Sequence, residues 1–168
     1  MQDTYREKIV KENMALCKQA YCGPRPGFNV GGYYADCFSK CWIAVEAYIK
    51  SEFNGKRIEA RKSEFILNFK TFYSDKYHTN FSTKFKESIN KLSKYSVKDQ
   101  DNLSRPAIYI TQKDDLKSVI DITYRVYCNF KHGGKLMAEE ENITLVENSF
   151  YVIYEIFDTI LREEGIVQ

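Results

Sequence analysis

The stretch Tyr124-Arg125-Val126-Tyr127-Cys128-Asn129-Phe130-Lys131-His132-Gly133-Gly134-Lys135 joins a helix-periodic run to a glycine pair, and its reading decides the fold. At about 100° per residue, Arg125 and His132 stand two helical turns apart and fall within roughly 20° of one face. Cys128 and Asn129 lie between them on that side. Gly133 and Gly134 stop the helix through a left-handed residue. His132 then sits in or just past the last turn, where the helix dipole favours a protonated imidazole. An arginine, an amide and a poised histidine on one face suit phosphate chemistry. The plainer alternative is a histidine that caps backbone carbonyls, with Arg125 paired to Asp121 one turn earlier in a surface ion pair of little energetic value.

Working outward, the segment that leads into this stretch begins near Asp114 and runs through Leu116, Val119, Ile120, Thr123 and Val126 at helical spacing. Beyond a glutamate-rich loop, Asn142 or Thr144 opens the most apolar helix of the chain, which Gly165 closes. On the other side, residues 96–106 carry little apolar content and read as a mobile connector. Ala107-Ile108-Tyr109-Ile110 favours extended structure but is too short to imply a sheet. Further back, helices are predicted at 3–20, 33–53, 57–73 and 79–95. A loop from Cys22 through Gly31-Gly32 joins the first two, Asn54-Gly55 ends the second, and Thr79 or Asn80 caps the fourth. Six helical segments without a convincing strand partner predict an all-α bundle formed by one domain over residues 1–168.

Composition narrows the function. With 25 basic and 23 acidic residues the net charge is +2, so any nucleic-acid contact must come from a local patch. The 13 tyrosines imply many half-buried rings with wet hydroxyls. An odd count of five cysteines, a polar N-terminus and no membrane-length apolar run together predict a cytoplasmic protein with reduced thiols and no membrane association.

Other features carry weaker chemistry. Cys17, Cys22, Cys37 and Cys41 lack the tight spacing of structural zinc sites, and free cysteine packs well as a small hydrophobe, so no metal is expected. Gly23-Pro24-Arg25-Pro26-Gly27 lacks the Lys-Ser or Lys-Thr that a phosphate loop needs. Lys84, Lys86, Lys91 and Lys94 decorate the fourth helix, as a solvated face or a phosphate contact. His78, between helices, reads as a surface or capping residue.

The segment 124–135, with the glutamate-rich loop and apolar helix after it, resembles the C-terminal half of HEPN-fold proteins. Those all-α domains often carry an arginine, a polar residue and a histidine as R-x4-6-H, commonly ending His-Gly-Gly-Lys, and His132-Gly133-Gly134-Lys135 matches that ending. Residues 38–48 also look like the group's first long helix. The resemblance spans roughly 33–53 and 114–162. One departure stands out. In relatives with this ending the arginine sits five residues before the histidine, where this chain has Tyr127, followed by Cys128 in the polar place. Arg125 fits the longer R-x6-H form. Either Arg125 has taken over the role, or the site is weakened, or position 127 has been replaced.

The resemblance implies a HEPN-like bundle of about six helices and a metal-independent endoribonuclease, without cofactor, acting on single-stranded RNA as a toxin or antiviral-defence effector. In such a site a ribose 2′-OH attacks its own 3′-phosphate. His132 serves as general base or acid, Arg125 stabilises the phosphorane, and Asn129 orients phosphate or imidazole, with Tyr127 beside them. Lys131 and Lys135 would meet substrate phosphates. One histidine per chain calls for a homodimer across the motif, and an antitoxin or regulatory protein is a further expected partner. The rival expectation is a catalytically degenerate HEPN-like module that binds RNA, a nucleotide or a protein.

Overall fold

The computed structural model describes residues 4–53, 57–133 and 139–168. Among them are six helices and no strand: α1 (Thr4–Cys22), α2 (Val30–Glu52), α3 (Ile58–Thr79), α4 (Thr83–Leu92), α5 (Leu116–Gly133) and α6 (Glu140–Glu163). The all-α bundle expected from the periodicity is the observed architecture.

Helix α2 is the one the others gather on, because apolar side chains cover nearly all its circumference. Phe38, Cys41, Trp42, Val45, Tyr48 and Ile49 are all buried. They pack against α1 and α6, and on their remaining sides against α3 and α5. From α6, Phe150, Ile153, Phe157 and Ile160 complete the core, with Phe157 edge-on to Tyr48 at 5.3 Å. Full burial of each such side chain is worth about 1.5–3 kcal/mol, so this seam dominates the fold's stability.

Helix boundaries differ from expectation where capping chemistry intervenes. Gly31 and Gly32 lie inside α2 rather than in a loop, because Asn29, at φ 47° and ψ 42°, turns the chain sharply before it. A Cβ on Gly32 would stand 2.7 Å from Asn29 Oδ1, so glycine makes room for that amide. The cap of α4 is Ser82, whose Oγ accepts from the Phe85 amide at 3.1 Å, and not Thr79 or Asn80. Those two belong to the end of α3, which runs past residue 73 because Tyr73 is buried and donates to the Lys113 carbonyl at 2.7 Å. His78 therefore lies in the last turn of α3, exposed, with Nε2 3.1 Å from Asp114 Oδ2. Helix α6 starts at Glu140, ahead of Asn142 and Thr144, and Gly165 at φ 69° follows its end. The expected stop at Asn54-Gly55 lies outside the described residues.

The connector expected to be mobile is a pinned loop. Val97 and Ile108 exchange backbone hydrogen bonds of 2.8 and 2.9 Å, an isolated antiparallel bridge that closes residues 97–108 against α5. Asp115 then caps α5, accepting from the amides of Lys117 and Ser118. No helix among the described residues is long and apolar enough to cross a membrane.

Candidate functional site

One face of α5 and the 97–108 loop bound a cleft of about 350 Å³. Its floor is Arg125, Cys128, Tyr124 and Asp121 from α5; its walls are Lys62 and Glu59 from α3 and Asp99, Asp101, Arg105 and Ile108 from the loop. The helical spacing that predicted a polar α5 face thus delivers Arg125 and Cys128 to one cavity. It does not bring Asp121 to Arg125. Asp121 pairs instead with Lys62 at 3.3 Å and with Lys117, one turn before it.

Freed from that partner, Arg125 faces the loop. Its side chain is 14% exposed, and Nη1 stands 3.7 Å from Asp99 Oδ2, an ion-pair distance beyond hydrogen-bond reach. Arg125 Nη1 is buried and meets no hydrogen-bond acceptor among the described residues. Buried guanidinium donors are costly to leave unmatched, so this atom is the least satisfied in the cleft. The same Asp99 oxygen accepts from Arg105 Nη1 at 3.1 Å, while Asp99 Oδ1 accepts from the amides of Asp101 and Asn102 at 3.0 and 3.2 Å.

Burial alone would raise the Asp99 carboxyl; the Asp101 amide, the Arg125 and Arg105 guanidiniums and the Asn102 amide outweigh it and hold the carboxyl below its usual value. A carboxyl lowered on folding contributes stability at pH above its unfolded value, near 3.9, and loses it as pH falls through the folded one. The loop's grip on Arg125 should be constant from about pH 5 to 8 and be released only in stronger acid. Amide chemical shifts of Asp101 and Asn102 followed through a pH titration check this; a transition near neutrality would contradict it.

Asn129 is buried, and both ends of its amide are engaged by loop backbone. Nδ2 donates to the Lys98 carbonyl at 2.7 Å and Oδ1 accepts from the Gln100 amide at 3.1 Å. Asn129 thus holds the loop that covers its neighbour Arg125. Asn129→Ala leaves a carbonyl and an amide without partners and should cost about 1–3 kcal/mol in urea denaturation, with faster hydrogen exchange at Gln100.

Tyr127 points away from the cleft into the core, 5% exposed. Its ring stacks on Trp42 at 5.4 Å and meets Phe38 edge-on at 6.0 Å. Burial pushes its hydroxyl pKa up. Lys131 is exposed, with Nζ 5.5 Å from the Tyr127 ring centre. His132 belongs by its backbone to the last turn of α5; its side chain, and all of Lys135, lie outside the described residues. Cys128 is half-buried, and burial raises its thiol, so it is not a ready nucleophile at neutral pH.

No family model, curated protein or solved structure matches the chain.

Five cleft residues carry no mark in the sequence analysis: Glu59, Lys62, Asp99, Asp101 and Arg105. The run Asp99-Gln100-Asp101-Asn102 carried the usable signal, because Asp and Asn side chains fold short loops onto their own amides. Lys62 had none, since it reaches the cleft only through the packing of α3 on α5, where its ammonium lies 4.3 Å from the Tyr124 ring centre. Elsewhere Cys17, Cys37 and Cys41 are buried at the α1–α2 seam while Cys22 is exposed. Among the described residues no group of three or more His, Cys, Asp or Glu could hold a metal ion.

Proposed function

We propose that this chain is a HEPN-like, metal-independent endoribonuclease that cleaves single-stranded RNA at the end of α5, in the manner of a toxin or defence effector. The observation that carries the proposal is Arg125, whose buried Nη1 meets no acceptor among the described residues in a cleft also lined by Lys62 and Arg105. Such a donor suits a phosphate oxygen, which it can grip bidentately as charge develops on the phosphorane. His132, two turns on, takes the proton of the attacking 2′-OH or returns one to the leaving 5′-oxygen. Because one chain offers a single motif histidine, acid and base come from two copies in a symmetric dimer. Asn129 acts through the loop that it holds, and Lys131 and Lys135 receive flanking phosphates. An antitoxin or other regulatory protein would restrain the activity in the cell.

The test is cleavage of a labelled single-stranded RNA by the full chain in EDTA, with His132→Ala as control. The proposal expects 2′,3′-cyclic phosphate ends from the wild type, loss of cleavage in the variant, and resistance wherever the 2′-OH is replaced by hydrogen. Cleavage by neither protein would contradict it.

A second reading has specific support. Tyr127, at the position where relatives with this ending place arginine, is packed on Trp42 in the core. That favours a module that binds RNA, a nucleotide or a protein through the same cleft without cutting. RNA retention without cleavage, weakened by Arg125→Ala, is its expected signature.

A further inference from the structure

The cleft at rest is not an anion site by net charge: three cations, Lys62, Arg105 and Arg125, face four carboxylates, Glu59, Asp99, Asp101 and Asp121. One of the four occupies a special place. A single Asp99 oxygen lies between two guanidiniums, 3.1 Å from Arg105 Nη1 and 3.7 Å from Arg125 Nη1. That is how a phosphate oxygen meets an arginine pair. We infer that the 97–108 loop is a built-in anion plug: Asp99 holds the position in which a nucleic-acid phosphate would bridge Arg105 and Arg125, and it must leave before that phosphate binds. The inference rests on the proposed reading that this cleft meets nucleic-acid phosphate, and it adds how the site is regulated.

The turn at 98–102, not the whole loop, is the part that moves. The Val97–Ile108 bridge holds the loop's feet, Asp99 Oδ1 is braced by the amides of Asp101 and Asn102 so that carboxylate and turn travel together, and Arg105 stays by releasing its 3.1 Å hydrogen bond to Asp99. The contact it must surrender at Arg125 is not a hydrogen bond, whereas a phosphate can supply two charge-assisted ones there. Opening exchanges Asp99 for the ligand beside the same three cations. The stronger restraint is Asn129, whose two hydrogen bonds hold Lys98 and Gln100 down. Displacement therefore needs a ligand with more than one phosphate, and an isolated phosphate ion is a poor opener.

Asp99→Asn tests the plug, because asparagine keeps the side-chain oxygen that accepts from the Asp101 and Asn102 amides and replaces the charged Oδ2 between the two guanidiniums with an NH2 that cannot accept from Arg105. Inorganic pyrophosphate is titrated into the full chain by calorimetry, alongside the RNA cleavage assay. The plug predicts that D99N binds pyrophosphate about tenfold tighter than wild type, the order expected when a facing like charge is removed, and that D99N/R125A loses the gain. Hydrogen exchange gives a readout on the unmodified chain, covering the case in which D99N does not fold. Saturating pyrophosphate should speed exchange at Gln100, whose amide leaves Asn129, and leave Val97, Ile108, Asp101 and Asn102 unchanged. Equal affinities for wild type and D99N, no binding by either, or bound pyrophosphate with unchanged protection at Gln100 would each overturn the plug. Tighter binding by D99N without RNA cleavage by either protein keeps the plug and ends the ribonuclease reading. Cleavage by both, with equal pyrophosphate affinities, does the reverse.

Discussion

Tyr127→Arg should lower the stability of the chain by about 2–5 kcal/mol and bring no gain in RNA cleavage. HEPN-fold proteins that end His-Gly-Gly-Lys carry arginine at this position, so placing one here is the natural experiment, and the packing says that it fails. The ring is 5% exposed, stacked on Trp42 and edge-on to Phe38, and aromatic pairs add about 0.5–1.5 kcal/mol beyond the area they bury. A guanidinium cannot occupy that slot without stranding its charge or opening a cavity beside Trp42. Tyr127→Phe is the control, since it keeps the rings and removes only the hydroxyl, and should cost less than about 1 kcal/mol. Urea denaturation gives both numbers. A stable Tyr127→Arg protein that cleaves faster than wild type would mean that position 127 belongs to the site and not to the core.

Arg125 is expected to behave in the opposite way. Arg125→Ala should lower cleavage by about 10²–10³-fold, the loss typical of removing one preorganised donor to a developing anion. Stability should change by no more than about 1 kcal/mol, because removing the guanidinium also removes an unmatched buried donor and Asp99 keeps Arg105 as its partner. Arg125→Lys should not rescue activity, since an ammonium lacks the planar fork that meets two phosphate oxygens. Single-turnover rates beside melting curves separate the two quantities. Equal damage to fold and rate would mark Arg125 as structural. If the protein binds without cutting, the same substitution should appear as weakened RNA retention.

The contrast between these neighbouring residues shows what was legible in the sequence. Helical periodicity placed Arg125 and Asn129 on a face of α5 apart from Val126 and Phe130, and that face does meet the polar loop. The same periodicity puts Tyr127 on another side, but tyrosine is amphipathic, and only the presence of Trp42 and Phe38 across the gap decides that it is buried. The apolar stripes of α2 and α6 were plain because burial needs many residues in register. The 97–108 loop was not, since its order comes from a few hydrogen bonds: one bridge, the Asn129 amide and the turn around Asp99. Apart from Val97 and Ile108 at the bridge, none of these leaves an apolar trace. The pairing of Asp121 was misread for a related reason. Spacing on one helix offered Arg125, whereas the packing of α3 supplied Lys62.

If Arg125 touches nucleic-acid phosphate, its Nε–Hε resonance reports the contact directly. It can be assigned by its loss in Arg125→Lys and followed as a single-stranded RNA with every 2′-OH replaced by fluorine is added. A saturable shift with the same midpoint as binding measured by fluorescence anisotropy is expected. Binding that saturates while this resonance stays still, or no binding at all, would contradict the contact.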